Sequence, residues 1–207
     1  MEGDPRTTEL IKHLFEGGHS VYAVLDGARS GRIHRLVSAS GRAYRALYDG
    51  DLSTGLREVS PYVVELEARH AFTRALLDQA WGQSWGVFIA APLGLDALRR
   101  HLRRFLRVQS EAGKPLLFRY YDPRVLRLYL PTCTTSELET FFGQIVRFVT
   151  EDANEQVALV FERGMNGLSV RRVELPAASP RQGNEDDAER AAAAIAASLA
   201  ALPESRG

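Results

Sequence analysis

The chain has 207 residues, 45% of them hydrophobic, enough to bury a full core as one domain. Lys+Arg and Asp+Glu both number 26, so a formal net charge of zero excludes a global attraction to nucleic acid or to a membrane surface. The single cysteine, Cys133, excludes an intrachain disulfide, and the uncharged stretch from Ala80 to Leu95 is too short and too broken by Gly and Pro to cross a bilayer. With a polar, acidic start (MEGDPRTTEL) and no secretory pattern, a cytoplasmic protein that does not engage a membrane is expected.

In chain order, Thr7 and Thr8 predict the cap of a short helix that carries Leu10, Ile11, Leu14 and Phe15 and stops at Gly17-Gly18. Residues 21–25 and 43–48 read as strands, each closed by an Asp-Gly pair (Asp26-Gly27 and Asp49-Gly50), with a helix over 28–39 between them. Pro61 opens a third strand over 62–66. Residues 69–81 form the next helix, with Arg74 and Asp78 as an i,i+4 pair, and Trp85 to Ala90 is a nearly continuous apolar run suited to a strand covered on both faces.

Pro92-Leu93-Gly94 then turns the chain into an amphipathic helix in which Leu95, Leu98, Leu102, Phe105 and Leu106 share one arc. Arg99, Arg100, Arg103, Arg104 and Arg107 lie on its flank and far side. Leu116 to Tyr121 reads as a strand, with Phe118 and Tyr120 on one face and Arg119 and Tyr121 on the other. Asp122-Pro123 reads as an N-cap followed by proline at the first helical position. Thr134 with Glu137 fits a capping box opening a helix over 135–142. Strand character follows at 145–150, 156–162 and 168–175.

The expected architecture is an α/β or mixed α+β fold: one domain with a central mixed sheet of about five or six strands flanked by helices. Residues 1–152 form its body, 153–176 add strands or a hairpin, and 177–207 are a Pro/Ser/acid-rich linker followed by an Ala-rich tail helix.

Three patterns bear on chemistry. Asp26, Asp49 and Asp122 all follow expected strands. Were those strands parallel, their ends would share one edge, where three carboxylates could hold Mg²⁺ for phosphoryl transfer or hydrolysis; ordinary turn and cap chemistry explains the same residues. Cys133 has no histidine placed beside it by sequence, and no two histidines have metal-ligand spacing on a helix, so no catalytic residue, metal or cofactor is assigned. The third is charge placement. From Arg99 to Arg127 there are nine basic residues against two acidic ones, a local charge of +7 in a neutral chain. A solvated face would be served equally well by Lys and Glu, whereas Arg is favoured for forked contacts to carboxylates, phosphates or carbonyls. A protein partner with an acidic surface fits this stretch better than nucleic acid, since no nucleic-acid motif accompanies it. Trp81 and Trp85 read equally as core residues or as interface anchors.

The succession VYAVLDGA (21–28), YRALYDGD (44–51), SPYVVEL (60–66), WGQSWGVFI (81–89), LRRHLRRFLRV (98–108), LFRYYDPRVLRLYLPT (117–132) and FFGQIVRFVTED (141–152) resembles the adaptor-chaperone domain of bacterial type VI secretion, the Tap or effector-chaperone family. The resemblance covers about residues 20–152. It implies a non-enzymatic protein that binds a toxin effector and helps load it onto the VgrG spike. Arg99, Arg100, Arg103, Arg104, Arg107, Arg119 and Arg124 are the residues expected to meet a partner, while Asp122, Pro123, Trp81 and Trp85 mark the structural motifs.

Overall fold

The computed structural model describes residues 4–48, 53–109, 113–165 and 167–178. Asp49 and the Ala-rich helix expected near the end of the chain lie outside these residues. The strands are β1 (Ser20–Asp26), β2 (Tyr44–Ala46), β3 (Pro61–Leu66), β4 (Gly86–Ala91), β5 (Arg107–Gln109), β6 (Pro115–Leu117), β7 (Arg147–Glu151), β8 (Val157–Gly164) and β9 (Gly167–Glu174). The helices are α1 (Pro5–Leu14), α2 (Gly31–Ser38), α3 (Thr54–Glu58), α4 (Ala71–Ala80), α5 (Leu95–Arg103), α6 (Pro123–Tyr129) and α7 (Thr135–Phe142).

Seven strands make one sheet in the order β2-β3-β1-β4-β7-β8-β9, and β5 pairs only with β6. Every pairing described is antiparallel, so the fold is mixed α+β, with a sheet wider than the five or six strands expected and without the parallel component of a mixed one. The sequence pattern locates strands but carries no direction, because a strand buried on both faces reads alike in either orientation.

Period-two alternation divides the core. On β1, Val21, Ala23 and Leu25 face one layer with Leu10 and Leu14 of α1, Ile33 and Val37 of α2, and Phe72 and Leu76 of α4. Tyr22 and Val24 face the opposite layer with Leu98 and Leu102 of α5, Leu126 of α6, and Phe141 and Phe142 of α7. β8 repeats the division, Ala158 and Val160 on the first side and Val157, Leu159 and Phe161 on the second. The result is a sheet between two helical layers, with α1, α2 and α4 on the first side and α5–α7 on the second. β8 and β9 extend the same sheet by continuous pairing from Glu151↔Ala158 to Val157↔Glu174.

Local chemistry sets the helix ends. Asp4, rather than Thr7 or Thr8, caps α1, accepting from the amides of Arg6 and Thr7, because Pro5 occupies the first helical position. Thr7 instead hydrogen-bonds Asp78, on which Arg74 also acts electrostatically. Thr134 and Glu137 form the full capping box of α7. Two departures follow α5. The helix stops at Arg103, so Arg107 lies on β5 instead of the helix. The strand expected over 116–121 is only Pro115–Leu117; Tyr120 and Tyr121 are then both buried, 0% and 1% exposed, because the chain turns into α6 instead of alternating.

Candidate functional site

β4 lies between β1 and β7 and runs against both, so the last residue of β1, Asp26, and the last of β7, Glu151, emerge at the same end of the sheet. Asp122 joins them from the start of α6. This end holds the buried acids Asp26 (2% exposed), Asp122 (3%) and Glu151 (6%). Burying carboxylates is costly unless each is paired or hydrogen-bonded: Asp26 and Asp122 are ion-paired, and Glu151 is held by hydrogen bonds.

Asp26 accepts from the amide of Ala28 at 3.2 Å and pairs with Arg119. Arg119 also reaches Asp122 at 3.7 Å. Asp122 caps α6 through the Arg124 amide at 3.0 Å and receives the Arg124 fork, Nε to Oδ1 at 3.0 Å and an Nη to Oδ2 at 2.7 Å. Burial alone would push the Asp122 carboxyl up, but the bonds from Arg124 and the charge of Arg119 prevail and hold it below the usual carboxylate range. Two of the three acids considered for a metal thus converge, but on a guanidinium rather than on a cation site. Among the described residues no group of three His, Cys, Asp or Glu is arranged to hold a metal ion.

The Trp81-Gly82-Gln83-Ser84-Trp85 stretch is the turn entering β4, and it wraps Glu151. Gly82 donates its amide at 2.6 Å, and Ser84 donates its amide at 2.9 Å and its hydroxyl at 3.0 Å. Both residues have positive φ, 78° at Gly82 and 53° at Ser84, in a turn that aims their two amides at one carboxylate. Burial raises the Glu151 pKa against the opposing pull of these donors. The tryptophans are core residues, 1% and 6% exposed, with Trp81 stacked on Phe88 and donating to the Glu155 carbonyl at 2.8 Å. Beside this turn, Gly82, Ser84, Arg124, Arg127, Glu151, Asp152, Ala153 and Glu155 line a polar cleft of about 220 Å³. Its charges are of mixed sign, Arg124 pairing with Asp122 at 2.7 Å and Asp152 with Arg172 at 2.8 Å.

The seven arginines expected to meet a partner separate into two sets. Arg124 makes a forked contact, as its residue type suggests, but to Asp122 of the same chain, and Arg119 reaches Asp26 and Asp122 through a single Nη. Arg99 donates to the carbonyls of Ala46 at 2.7 Å and Tyr48 at 3.3 Å, tying α5 to the edge strand β2. Arg103 is half-buried. Arg100, Arg104 and Arg107 are exposed. Arg104 folds back on its own helix end, 2.7 Å from His101 Nδ1 and 5.5 Å from the Phe105 ring centroid, and keeps its charge at the surface.

Cys133 is half-buried with its Sγ 3.5 Å from the Tyr129 carbonyl, and burial pushes its thiol pKa up, the opposite of an activated nucleophile. His13, His34, His70 and His101 are engaged elsewhere, by Glu9, Tyr62, the Phe72 amide and the Phe141 carbonyl.

Sequence reasoning missed two features. One is the turn around Glu151, whose only signal was an uncharged Gly-Gln-Ser turn opposite an acid-terminated strand. The other is the β5–β6 hairpin, signalled by Gly113-Lys114-Pro115 between two short apolar-containing runs. It exposes Val108 (40%), Leu116 (51%) and Leu117 (49%) directly after the basic helix.

The domain is thus a three-layer antiparallel α+β fold whose sheet end carries hydrogen-bonded buried acids and whose β5–β6 hairpin exposes basic and apolar side chains. The chain belongs to the family described as a domain of unknown function, DUF4123, whose match spans residues 21–140, more than half of its length. No curated protein and no solved structure matches it. No helix among the described residues is long and apolar enough to cross a membrane.

Proposed function

We propose that the protein is a non-enzymatic cytoplasmic adaptor that binds a type VI secretion toxin effector and helps load it onto a VgrG spike protein. The family match over residues 21–140 carries this reading, since all but the last of the motifs resembling effector chaperones, the one at 141–152, fall in that segment. The location of the charge supports it. The exposed arginines Arg100, Arg104 and Arg107 gather basic charge at the end of α5 and on β5 of a neutral protein, which suits an acidic partner without demanding nucleic acid. The acids at the sheet end have structural partners, so they are assigned no catalytic role.

Co-expression with a type VI toxin effector and a VgrG spike protein from the same genome tests the proposal. Affinity capture is expected to retain the toxin, and Arg100→Glu/Arg104→Glu is expected to abolish that capture while leaving the melting transition cooperative. Failure of the intact chain to retain either protein would overturn the adaptor reading. Undiminished capture by the charge-reversed chain would remove the basic surface from it.

A further inference from the structure

A two-stranded hairpin is marginal in water, and proteins that keep one usually bury a face of it. Here β5 and β6 pair with each other and with no other described strand, and all six of their residues are exposed. The register Val108↔Leu116 sets two branched apolar side chains directly opposite one another on one face. On the other face Arg107 stands opposite Leu117. The root is firm: Leu106 is 6% exposed and its carbonyl accepts from the Phe118 amide at 2.9 Å, while Phe118 packs edge-on against Tyr129 with centroids 4.6 Å apart. A rigid base therefore presents an apolar pair and open strand edges to solvent, an arrangement that natural sheets normally blunt or cover.

We propose that this hairpin is a docking arm that takes an extended, acidic and apolar segment of a partner protein by strand addition. Main-chain hydrogen bonds along an open edge supply the pairing, Val108 and Leu116 receive the apolar side chains, and Arg107 with Arg100 and Arg104 at the end of α5 meets the acidic ones. Charge selects this occupant. A second copy of the chain would bring the same basic surface against itself, and phosphate contacts would leave Val108 and Leu116 without a role. The assignment rests on the adaptor reading and specifies the chemistry of its partner.

The experiment uses the full chain and a short synthetic peptide alternating glutamate with valine, with a lysine-for-glutamate peptide as control. Binding of the glutamate peptide should slow hydrogen exchange at residues 107–109 and 115–117. Val108→Asp/Leu116→Asp should lower its affinity by at least about tenfold, since two aliphatic contacts are lost and like charge is added. Val108→Thr/Leu116→Thr, which keeps strand propensity, should weaken it less. Absence of binding, equal binding of the lysine peptide, displacement by a single-stranded oligonucleotide, or affinity unchanged by both double substitutions would each overturn the docking arm. Binding that emerges only after removal of residues 179–207 would assign the surface to the chain's own tail and overturn the partner assignment. Capture of the toxin with unchanged exchange at the hairpin would sink this inference and leave the adaptor function standing. Peptide binding without toxin capture would do the reverse.

Discussion

Two arginine-bearing regions of this protein use the same side chain to opposite ends. At the charged end of the sheet, Arg119 and Arg124 lie over Asp26 and Asp122, which are buried and accept from backbone amides as well. At the end of α5 and along β5, Arg100, Arg104 and Arg107 are exposed beside an apolar cross-strand pair. The first region is an internal electrostatic joint between β1, α6 and the chain leading into it. The second has the composition of a surface awaiting a partner. Arginine content alone does not separate them; the neighbouring acids do. Substitutions in the joint should therefore cost stability, and substitutions in the projection should cost binding.

The largest effect is expected at Glu151. Glu151→Ala removes the acceptor for the Gly82 and Ser84 amides and the Ser84 hydroxyl, leaving a turn with positive φ at two positions unsupported. A loss of about 2–3 kcal/mol is expected from denaturant unfolding. A loss below about 0.5 kcal/mol would show that solvent in the adjoining cleft replaces the carboxylate.

Asp122→Ala comes next, at about 2 kcal/mol, because the residue both caps α6 and receives Arg124. The two acids should also differ in the sign of their pH dependence. The Asp122 carboxyl lies below its ordinary value when folded, so its contribution is complete above that value and is lost as pH falls through the folded one. Glu151 is raised, so its contribution is complete below the ordinary value and is lost as pH rises through the folded one. Asp122→Asn should accordingly flatten the acid limb of a stability–pH curve, and Glu151→Gln the limb above the carboxylate range. Parallel shifts from both would contradict the pairing described.

Arg99 tests the border between the regions. It sits among the arginines of α5 but donates to Ala46 and Tyr48. Arg99→Ala is expected to cost about 1 kcal/mol through the lost carbonyl bonds and to leave peptide binding near its original value. A binding loss equal to that of Arg100→Glu would move Arg99 back to the partner surface.

The sequence made most of this fold legible because its strands and helices are strongly patterned. The apolar run Val21 to Leu25, the Asp122-Pro123 cap and the Thr134–Glu137 box are local signals that the tertiary structure leaves intact. Strand direction and arginine fate were not legible, because both depend on residues far away in the chain. Arg119 meets an acid 93 positions earlier, and Arg99 meets carbonyls 53 and 51 positions earlier. Helix length failed for a related reason. The apolar arc continues through Phe105 and Leu106, but the Phe118 amide takes the Leu106 carbonyl and starts a hairpin there.

The smallest effect on stability is expected where the effect on binding is largest. Leu116 is 51% exposed, so Leu116→Asp forfeits little burial, and opposite Val108 it loses one cross-strand apolar contact. The hairpin also carries Arg107, opposite Leu117, and lies in a locally basic stretch that favours an added acid. These terms oppose each other, and the unfolding free energy should move by no more than about 0.5 kcal/mol. A hairpin that served only to complete the core would respond with a larger loss. One that serves a partner keeps its melting transition and loses affinity, so thermal melting and peptide titration on the same variant separate the two roles.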